Sequence, residues 1–303
     1  MTLHTLRVAT RQSPMALWQA NHIKSELQHH YPNLYIEIIG LTTAGDHHTD
    51  RSLVNIGGKD LFVKELQRAL LTNKADIAVH CIKDMSVQET PGLKLSAICK
   101  RNDPRDVFVS NRYTCLADLP KGAIVGTASP RRQCLLQQFS PQVKLALIRG
   151  NVNTRIEKLD NNEYDAIILA MAGLQRVGLA HRVKEILPIN LFIPAIAQGA
   201  LGIECRENDM ATQKQIDFLH DKNTAICIEA ERAVNRRLGG DCHTPIGAHA
   251  TLNKDVLFLN AFVGNLETAE VFRSHSTGQA QQATVLGTQL AEALLKQGAA
   301  DFL

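Results

Sequence analysis

Leu6-Arg-Val-Ala-Thr-Arg-Gln-Ser-Pro14 and Ile124-Val-Gly-Thr-Ala-Ser-Pro130 share one plan. Each is a short apolar run closed by Thr, followed within three residues by Ser-Pro and then by an amphipathic stretch. The run reads as a strand. Ser before Pro is a strong helix start, because Ser caps the free N–H groups and Pro suits the first helical position. The parallel continues downstream. Gly58-Lys-Asp-Leu-Phe-Val-Lys-Glu-Leu66 precedes Asp76-Ile-Ala-Val79, and Gly150-Asn-Val-Asn-Thr-Arg-Ile-Glu-Lys-Leu159 precedes Asp165-Ala-Ile-Ile168. Two copies of one sheet unit are expected, hence a bilobed α/β protein with a cleft between the lobes.

Working outward, strands are expected at Thr5–Ala9, Tyr35–Thr42, Ile77–His80, Leu93–Ile98, Val107–Val109, Ala123–Gly126, Lys144–Ile148 and Ala166–Met171. Helices are expected at Pro14–His29, Leu61–Leu71, Pro130–Gln138 and Thr154–Leu159. This alternation predicts largely parallel sheets covered by helices. From about Asn223 the pattern changes. A helix over Asn223–Leu238 stops at Gly239-Gly240. Strand-like runs follow near Gly247–Thr251, Val256–Val263 and Glu270–His275, then a helix over Gln279–Lys296. This reads as a separate α+β domain with a three-stranded antiparallel sheet.

Composition narrows the function. The chain has 303 residues, with 33 Lys and Arg against 30 Asp and Glu. That near balance argues against general nucleic-acid binding. Nine Phe, four Tyr and one Trp are too few for a base-stacking platform. No stretch is long and apolar enough to span a membrane, and the first residues lack a signal-peptide core. The seven cysteines are odd in number and include no CxxC pair, so a reducing, cytoplasmic setting is expected.

Against that neutral background, cations collect at the carboxyl ends of the expected strands, where open α/β sheets bind ligands. Arg11 follows the first strand and Lys83-Asp84 follow Ile77–Ile82. Ser129, Arg131 and Arg132 follow Ile124–Thr127. Arg149 follows Leu145–Ile148, with Arg155 in the next helix, and Arg176 follows a run read as strand over Ile167–Leu174. Any one arginine reads well as a solvated loop charge. Five strand ends together point to a cleft for a polyanion, with Arg suited to carboxylates by its planar fork. No Walker A or GxGxxG motif indicates a nucleotide. Asp84 is the acid among these cations, and its spacing alone favours a salt bridge over proton transfer. Cys242 stands apart from the other cysteines in the glycine-rich Gly239-Gly-Asp-Cys-His-Thr-Pro-Ile-Gly247. Asp46-His-His-Thr-Asp50 resembles a metal cluster only superficially, and no metal is expected. Residues 42–60 read as a long loop or lid. At this level a bilobed binding module and a transferase for phosphorylated anions remain open beside a carboxylate-handling enzyme.

The motifs in order resemble the porphobilinogen deaminase (hydroxymethylbilane synthase) family nearly end to end. The carrying residues are Arg7–Pro14, Gly57–Leu66, Ala78-Val-His-Cys-Ile-Lys-Asp-Met85, Gly126–Arg132, Ile148-Arg-Gly-Asn-Val-Asn-Thr-Arg155, Pro194-Ala-Ile-Ala-Gln-Gly-Ala200 and the Cys242 loop. The chain departs from the family's usual residues at Asp60, Cys81, Ser86 and Ala197.

The resemblance implies two lobes like type II periplasmic binding proteins, residues 1–99 with 200–217 and residues 100–199, and a third domain over 218–303 that carries the cofactor-attachment cysteine. It also implies a dipyrromethane bound covalently to Cys242, with Ser13, Lys83, Asp84, Thr127, Ser129, Arg131 and Arg132 contacting it. Porphobilinogen would be the substrate, bound by Arg11, Lys59, Arg149, Arg155, Arg176 and Gln198, with Asp84 catalytic. A monomer without membrane or nucleic-acid partners is expected.

Overall fold

A computed structural model describes residues 5–42, 63–240 and 244–303. In chain order the elements are β1 (Thr5–Arg11), α1 (Pro14–His30), β2 (Tyr35–Leu41), α2 (Lys64–Leu71), β3 (Ile77–Cys81), β4 (Leu93–Ile98) and β5 (Asp106–Val109). There follow β6 (Ile124–Gly126), α3 (Pro130–Phe139), β7 (Lys144–Ala146), α4 (Val152–Asp160), β8 (Ala166–Ala170), α5 (Met171–Arg176), β9 (Glu185–Ile186) and β10 (Leu201–Arg206). The chain ends with α6 (Met210–Ile216), α7 (Lys222–Leu238), β11 (Ile246–Asn253), β12 (Val256–Gly264), β13 (Val271–Gln279) and α8 (Ala283–Lys296). Residues group into two compact units: Met1–Arg101 with Ala200–Ala225, and Asn102–Gly199 with Ile226–Leu303.

The first unit holds a five-stranded sheet in the order β2-β1-β3-β10-β4. β1 pairs in parallel with β2 and β3, while β10 runs antiparallel to both β3 and β4. Four strands therefore point one way and β10 is reversed. One face packs Leu6, Val8, Ile77 and Ile203 against Ala20, Ile23 and Leu27 of α1. The other face packs Ala9 and Ala78 against Leu66, Ala69 and Leu70 of α2. Burying each such large aliphatic side chain stabilises by about 1.5–3 kcal/mol.

The second unit repeats the arrangement. Its sheet has the order β7-β6-β8-β5-β9, with β6 parallel to β7 and β8, and β5 antiparallel to β8 and β9. The expected internal repeat is thus visible strand for strand: β6, β7 and β8 answer to β1, β2 and β3, and reversed β5 answers to reversed β10. Ser13 caps α1 and Ser129 caps α3, each with Pro at the helix start. The same unit carries the three-stranded antiparallel sheet β11-β12-β13. Leu257, Leu259, Ala261 and Val263 of β12 pack against Ala230 and Val234 of α7 and Leu290 and Leu294 of α8.

Three local expectations need correction. α4 begins at Val152 rather than Thr154, because the Asn151 side chain accepts from the Thr154 N–H at 3.0 Å and caps the helix earlier. The run read as strand over Ile167–Leu174 leaves the sheet at Ala170 and becomes α5, so Arg176 ends a short helix. An apolar run does not by itself separate strand from buried helix. β9 and β10 are absent from the expected strands: two residues give β9 no pattern to show, whereas β10 does alternate, Leu201, Ile203 and Cys205 with Gly202, Glu204 and Arg206.

Ala197 has φ 58° and no exposed surface, and its N–H donates to Glu231 Oε2 at 2.7 Å. A non-glycine residue there costs about 1–2 kcal/mol. Glycine's extra chain entropy costs roughly 0.5–1 kcal/mol in return. Ala197→Gly should therefore leave the thermal midpoint unchanged or raise it. A fall of several degrees would show that the buried methyl outweighs the backbone conformation.

Candidate functional site

In the first unit the carboxyl ends of neighbouring β1 and β3 carry Arg11, Ser13, Lys83 and Asp84. Arg11 ends β1 and is half-buried. The Ser13 hydroxyl oxygen accepts from the Ala16 N–H at 3.3 Å, which leaves its O–H to donate. Lys83 and Asp84 close a 3-10 turn, Ile82–Asp84, directly after β3, and both are exposed. The turn is fixed from beneath: Ile82 is buried and its N–H donates to the Ala200 carbonyl at 3.2 Å. Among the described residues Asp84 forms no ion pair. The salt bridge that its spacing favoured is not formed with Lys83 or with any described arginine.

In the second unit the corresponding edge is built around a residue the sequence reading did not single out, Asp106. It opens β5 and has no exposed surface. Because β5 is reversed, its first residue lies at the edge where β8 ends, opposite Ala170. Arg131 Nη2 donates to Asp106 Oδ2 at 2.6 Å. Arg132 donates to Asp106 Oδ1 through Nη2 at 2.8 Å and Nε at 3.1 Å. Gln198 Nε2 adds a bond to the same oxygen at 2.9 Å and another to the Pro104 carbonyl at 2.7 Å. Backbone carbonyls take further donors: Ile193 from Arg131 Nη1 at 2.7 Å and Ile168 from Arg132 Nη1 at 3.0 Å.

Electrostatics follow from this burial. Desolvation alone would raise the Asp106 pKa, but the charges of Arg131 and Arg132 and the hydrogen bonds from Arg132 and Gln198 lower it to about 2. Burial lowers the pKa of Arg131, while Asp106 opposes that shift. Arg155, with Nε donating to the Gly150 carbonyl at 2.8 Å, is lowered to about 10 by burial and then by the charge of Arg132. Three guanidiniums thus feel one carboxylate or each other, and the local balance is positive.

The remaining expected residues take these places. Thr127 is buried after β6, and its Oγ1 accepts from the Ser129 N–H at 3.2 Å. The Ser129 hydroxyl oxygen accepts from the Arg132 N–H at the N-terminus of α3. Arg149 is half-buried, three residues past β7. Arg176 is buried, with Nη2 donating to Asn102 Oδ1 and the Gly199 carbonyl, both at 2.9 Å. Gly199 has φ 91°, and a Cβ there would sit 2.6 Å from the Asn102 carbonyl oxygen, so glycine is required next to Gln198. Arg131, Arg132 and Gln198 are therefore brought together, with Arg155 within electrostatic reach. Lys59, Cys242, Asp60 and the run Asp46–Asp50 lie outside the described residues.

Missing Asp106 has a simple cause. Strands of the common direction present at this edge the residues that follow them, but a reversed strand presents the residue that precedes its apolar run. The dipeptide Arg105-Asp106 ahead of Val107-Phe-Val109 was the available signal.

The described residues form an α/β protein with an edge of strand ends and helix N-termini lined with cations, an arrangement suited to anionic groups. Residues 6–214 match the family described as "Porphobilinogen deaminase, dipyromethane cofactor binding domain", and residues 225–296 match "Porphobilinogen deaminase, C-terminal domain". The chain belongs to the porphobilinogen deaminase family, transferases of tetrapyrrole biosynthesis. Among solved structures it is similar to a putative methionine-binding lipoprotein from Bacillus subtilis, at 14% identity over 73% of this chain and 92% of that one, TM-score 0.45. It is also similar to the periplasmic VFT2 domain of BvgS from Bordetella pertussis, at 16% identity over 70% and 85%, TM-score 0.42. A periplasmic substrate-binding protein of an ABC transporter from Coxiella burnetii aligns at 14% identity over 71% and 92%, TM-score 0.44. No helix among the described residues is long and apolar enough to cross a membrane.

The depressed Asp106 value carries a pH prediction. An ordinary Asp titrates near 3.9, so its stabilising contribution is complete above about pH 4 and is lost as pH falls through about 2. A depression of nearly two units corresponds to roughly 2–3 kcal/mol. In Asp106→Asn, urea midpoints measured from pH 5 to pH 2 should fall less steeply than in the wild type. Parallel curves would mean that Asp106 titrates normally.

Proposed function

We propose that the chain is a hydroxymethylbilane synthase. It joins four porphobilinogen molecules head to tail on a dipyrromethane held as a thioether at Cys242, and releases linear hydroxymethylbilane by hydrolysis. The observation that carries the reading is the match of both family domains over 6–214 and 225–296, the first named for the dipyrromethane cofactor. Each addition breaks the aminomethyl C–N bond of one porphobilinogen, forms one C–C bond and releases ammonia.

The described residues fit such a cofactor, whose two rings carry four carboxylates. Arg131 Nε is buried without a hydrogen-bond partner, and half-buried Arg155 feels the charge of Arg132. Both are relieved by an anion. When bound, dipyrromethane supplies the pyrrole carbon from which the chain grows. Arg131 and Arg132, with the free O–H groups of Ser13, Thr127 and Ser129 and with Lys83, would hold its carboxylates. Arg11, Arg149, Arg155, Arg176 and Gln198, with Lys59, would hold those of porphobilinogen. Six rings bring twelve carboxylates to the protein, which is a load that calls for many fixed cations.

Asp84 would protonate the leaving amine and set its negative charge against the azafulvenium that ammonia loss produces from porphobilinogen. Its exposed position on a turn anchored by buried Ile82 suits a group that must meet substrate. The proposed setting is the cytoplasm, as a monomer. No two of the six described cysteines are joined in a disulfide, in keeping with a reducing compartment.

Intact mass and peptide mapping test the attachment. Wild-type protein should exceed its polypeptide mass by one dipyrromethane and colour with Ehrlich's reagent. Cys242→Ala should be folded and bear no adduct, while replacing any of the other six cysteines should leave the adduct in place. An adduct mapped to another cysteine would overturn the assignment.

For Asp84, Asn keeps the size but loses the charge and the proton. Removing an electrostatic stabiliser typically slows turnover by ~10²–10³. Asp84→Asn should keep its melting temperature and adduct yet turn over at least ~100-fold more slowly, on that same scale, and Asp84→Glu should keep part of the activity. Full turnover in Asp84→Asn would remove Asp84 from the chemistry.

A further inference from the structure

We infer that Asp106 is a positioning residue for the anion site: it aims the Arg131 and Arg132 guanidiniums, and the enzyme's grip on carboxylates depends on that aim. The inference rests on the proposed function and extends it to a residue that does not touch the ligand.

Asp106 has no exposed surface, so its carboxylate works only through the groups that surround it. Those groups are two guanidiniums and the Gln198 amide, at 2.6–3.1 Å. Each arginine is held at two points. Arg131 is fixed by Asp106 and the Ile193 carbonyl, and Arg132 by Asp106 and the Ile168 carbonyl. A guanidinium held at two points cannot rotate in its plane, and its remaining donor edge keeps one direction. Arg131 Nε is such a remaining donor, buried and unpartnered. The two bonds to Asp106 also lie on different oxygens, Oδ2 for Arg131 and Oδ1 for Arg132. One carboxylate therefore sets the angle between two cations.

The alternative is that Asp106 only balances charge in the core. The two ideas part company in Asp106→Asn. Asparagine offers one oxygen and one NH₂, so it can accept from one arginine while presenting a donor to the other. The site gains positive charge but loses the aim of one guanidinium. If net charge alone governs anion binding, the variant should hold carboxylates more tightly. If aim governs it, the grip weakens.

The test uses full-length wild type, Asp106→Asn and Asp106→Glu, the last keeping the charge in a site one methylene too tight. Three quantities are read: melting temperature, the fraction of chains bearing dipyrromethane by intact mass, and kcat and KM for porphobilinogen per adduct-bearing chain. Both variants should melt lower than wild type. Only Asp106→Asn should also show an adduct fraction reduced several-fold or a KM raised at least ~10-fold, the scale on which a mispositioned contact registers, with kcat changed less than KM. Asp106→Glu should recover most of that loss despite its lower melting temperature.

Equal adduct fraction and KM in the two variants, or a lower KM in Asp106→Asn, overturns the inference. If Asp106→Asn does not fold, Arg131→Met is compared with Arg131→Met/Asp106→Asn, where a single cation remains to be aimed. A further loss in the double variant supports the role, and no further loss removes it. A wild-type chain that carries no adduct would instead sink the proposed function, and intact mass shows that before any variant is made.

Discussion

An ionised carboxylate with no contact to water is tolerable only where opposite charge and hydrogen bonds replace its hydration. Removing such an ion from water costs several kcal/mol before any partner is counted. Asp106 meets this condition through Arg131 and Arg132 in the first turn of α3 and through the Gln198 amide, and the two arginines are held in turn by the Ile193 and Ile168 carbonyls. None of these can move alone without stranding a buried charge. The rigidity of the cationic edge is therefore a consequence of burial, and it extends to the start of β5 and to the tight backbone at Ala197 and Gly199.

The reversed strand makes this possible. In each sheet four strands deliver their carboxyl ends to one edge, where residues after the strand meet ligand. The fifth strand delivers its beginning. In the second unit that beginning is Asp106. In the first it is Ala200-Leu201, whose Ala200 carbonyl accepts from Ile82 and holds the turn that bears Lys83 and Asp84. The two copies thus use one topological device for different ends, an anion that orders cations in one and a backbone anchor for an acid in the other.

Much of this was legible beforehand. The strand-then-Ser-Pro plan gave both helix starts, because capping chemistry is local and reads directly from sequence. The antiparallel third sheet was equally clear from its three strand-like runs. What stayed hidden was tertiary. Nothing in Ser129-Pro-Arg-Arg132 says that two arginines at a helix start turn inward and are almost fully buried. Nothing in Ala166–Arg176 says where the sheet gives way to α5, since a run of small and apolar residues serves both states. Asp106 was missed because strand direction comes from pairing partners far along the chain, and β5 pairs with β8 some sixty residues later.

A net charge of +3 gives little hint of a cationic edge, and the structure shows how one arises. Several of the described acids sit at the opposite edges of the sheets. There Asp76 takes Arg7 and Arg206, Asp209 takes Arg206, and Asp165 lies within 3.5 Å of Arg112. At the edge of the second unit that bears Arg131, Arg132, Arg149, Arg155 and Arg176, the strand-end acids are Asp103, engaged by Arg105, and Asp106. One carboxylate there faces two guanidiniums, and Arg155 is pressed further by Arg132. Screening at physiological salt confines each exposed charge to roughly 8 Å. Separating paired from surplus charge to opposite ends of the strands therefore lets a nearly neutral chain present a strongly positive edge. The field at that edge is set by that separation, and composition averages it away.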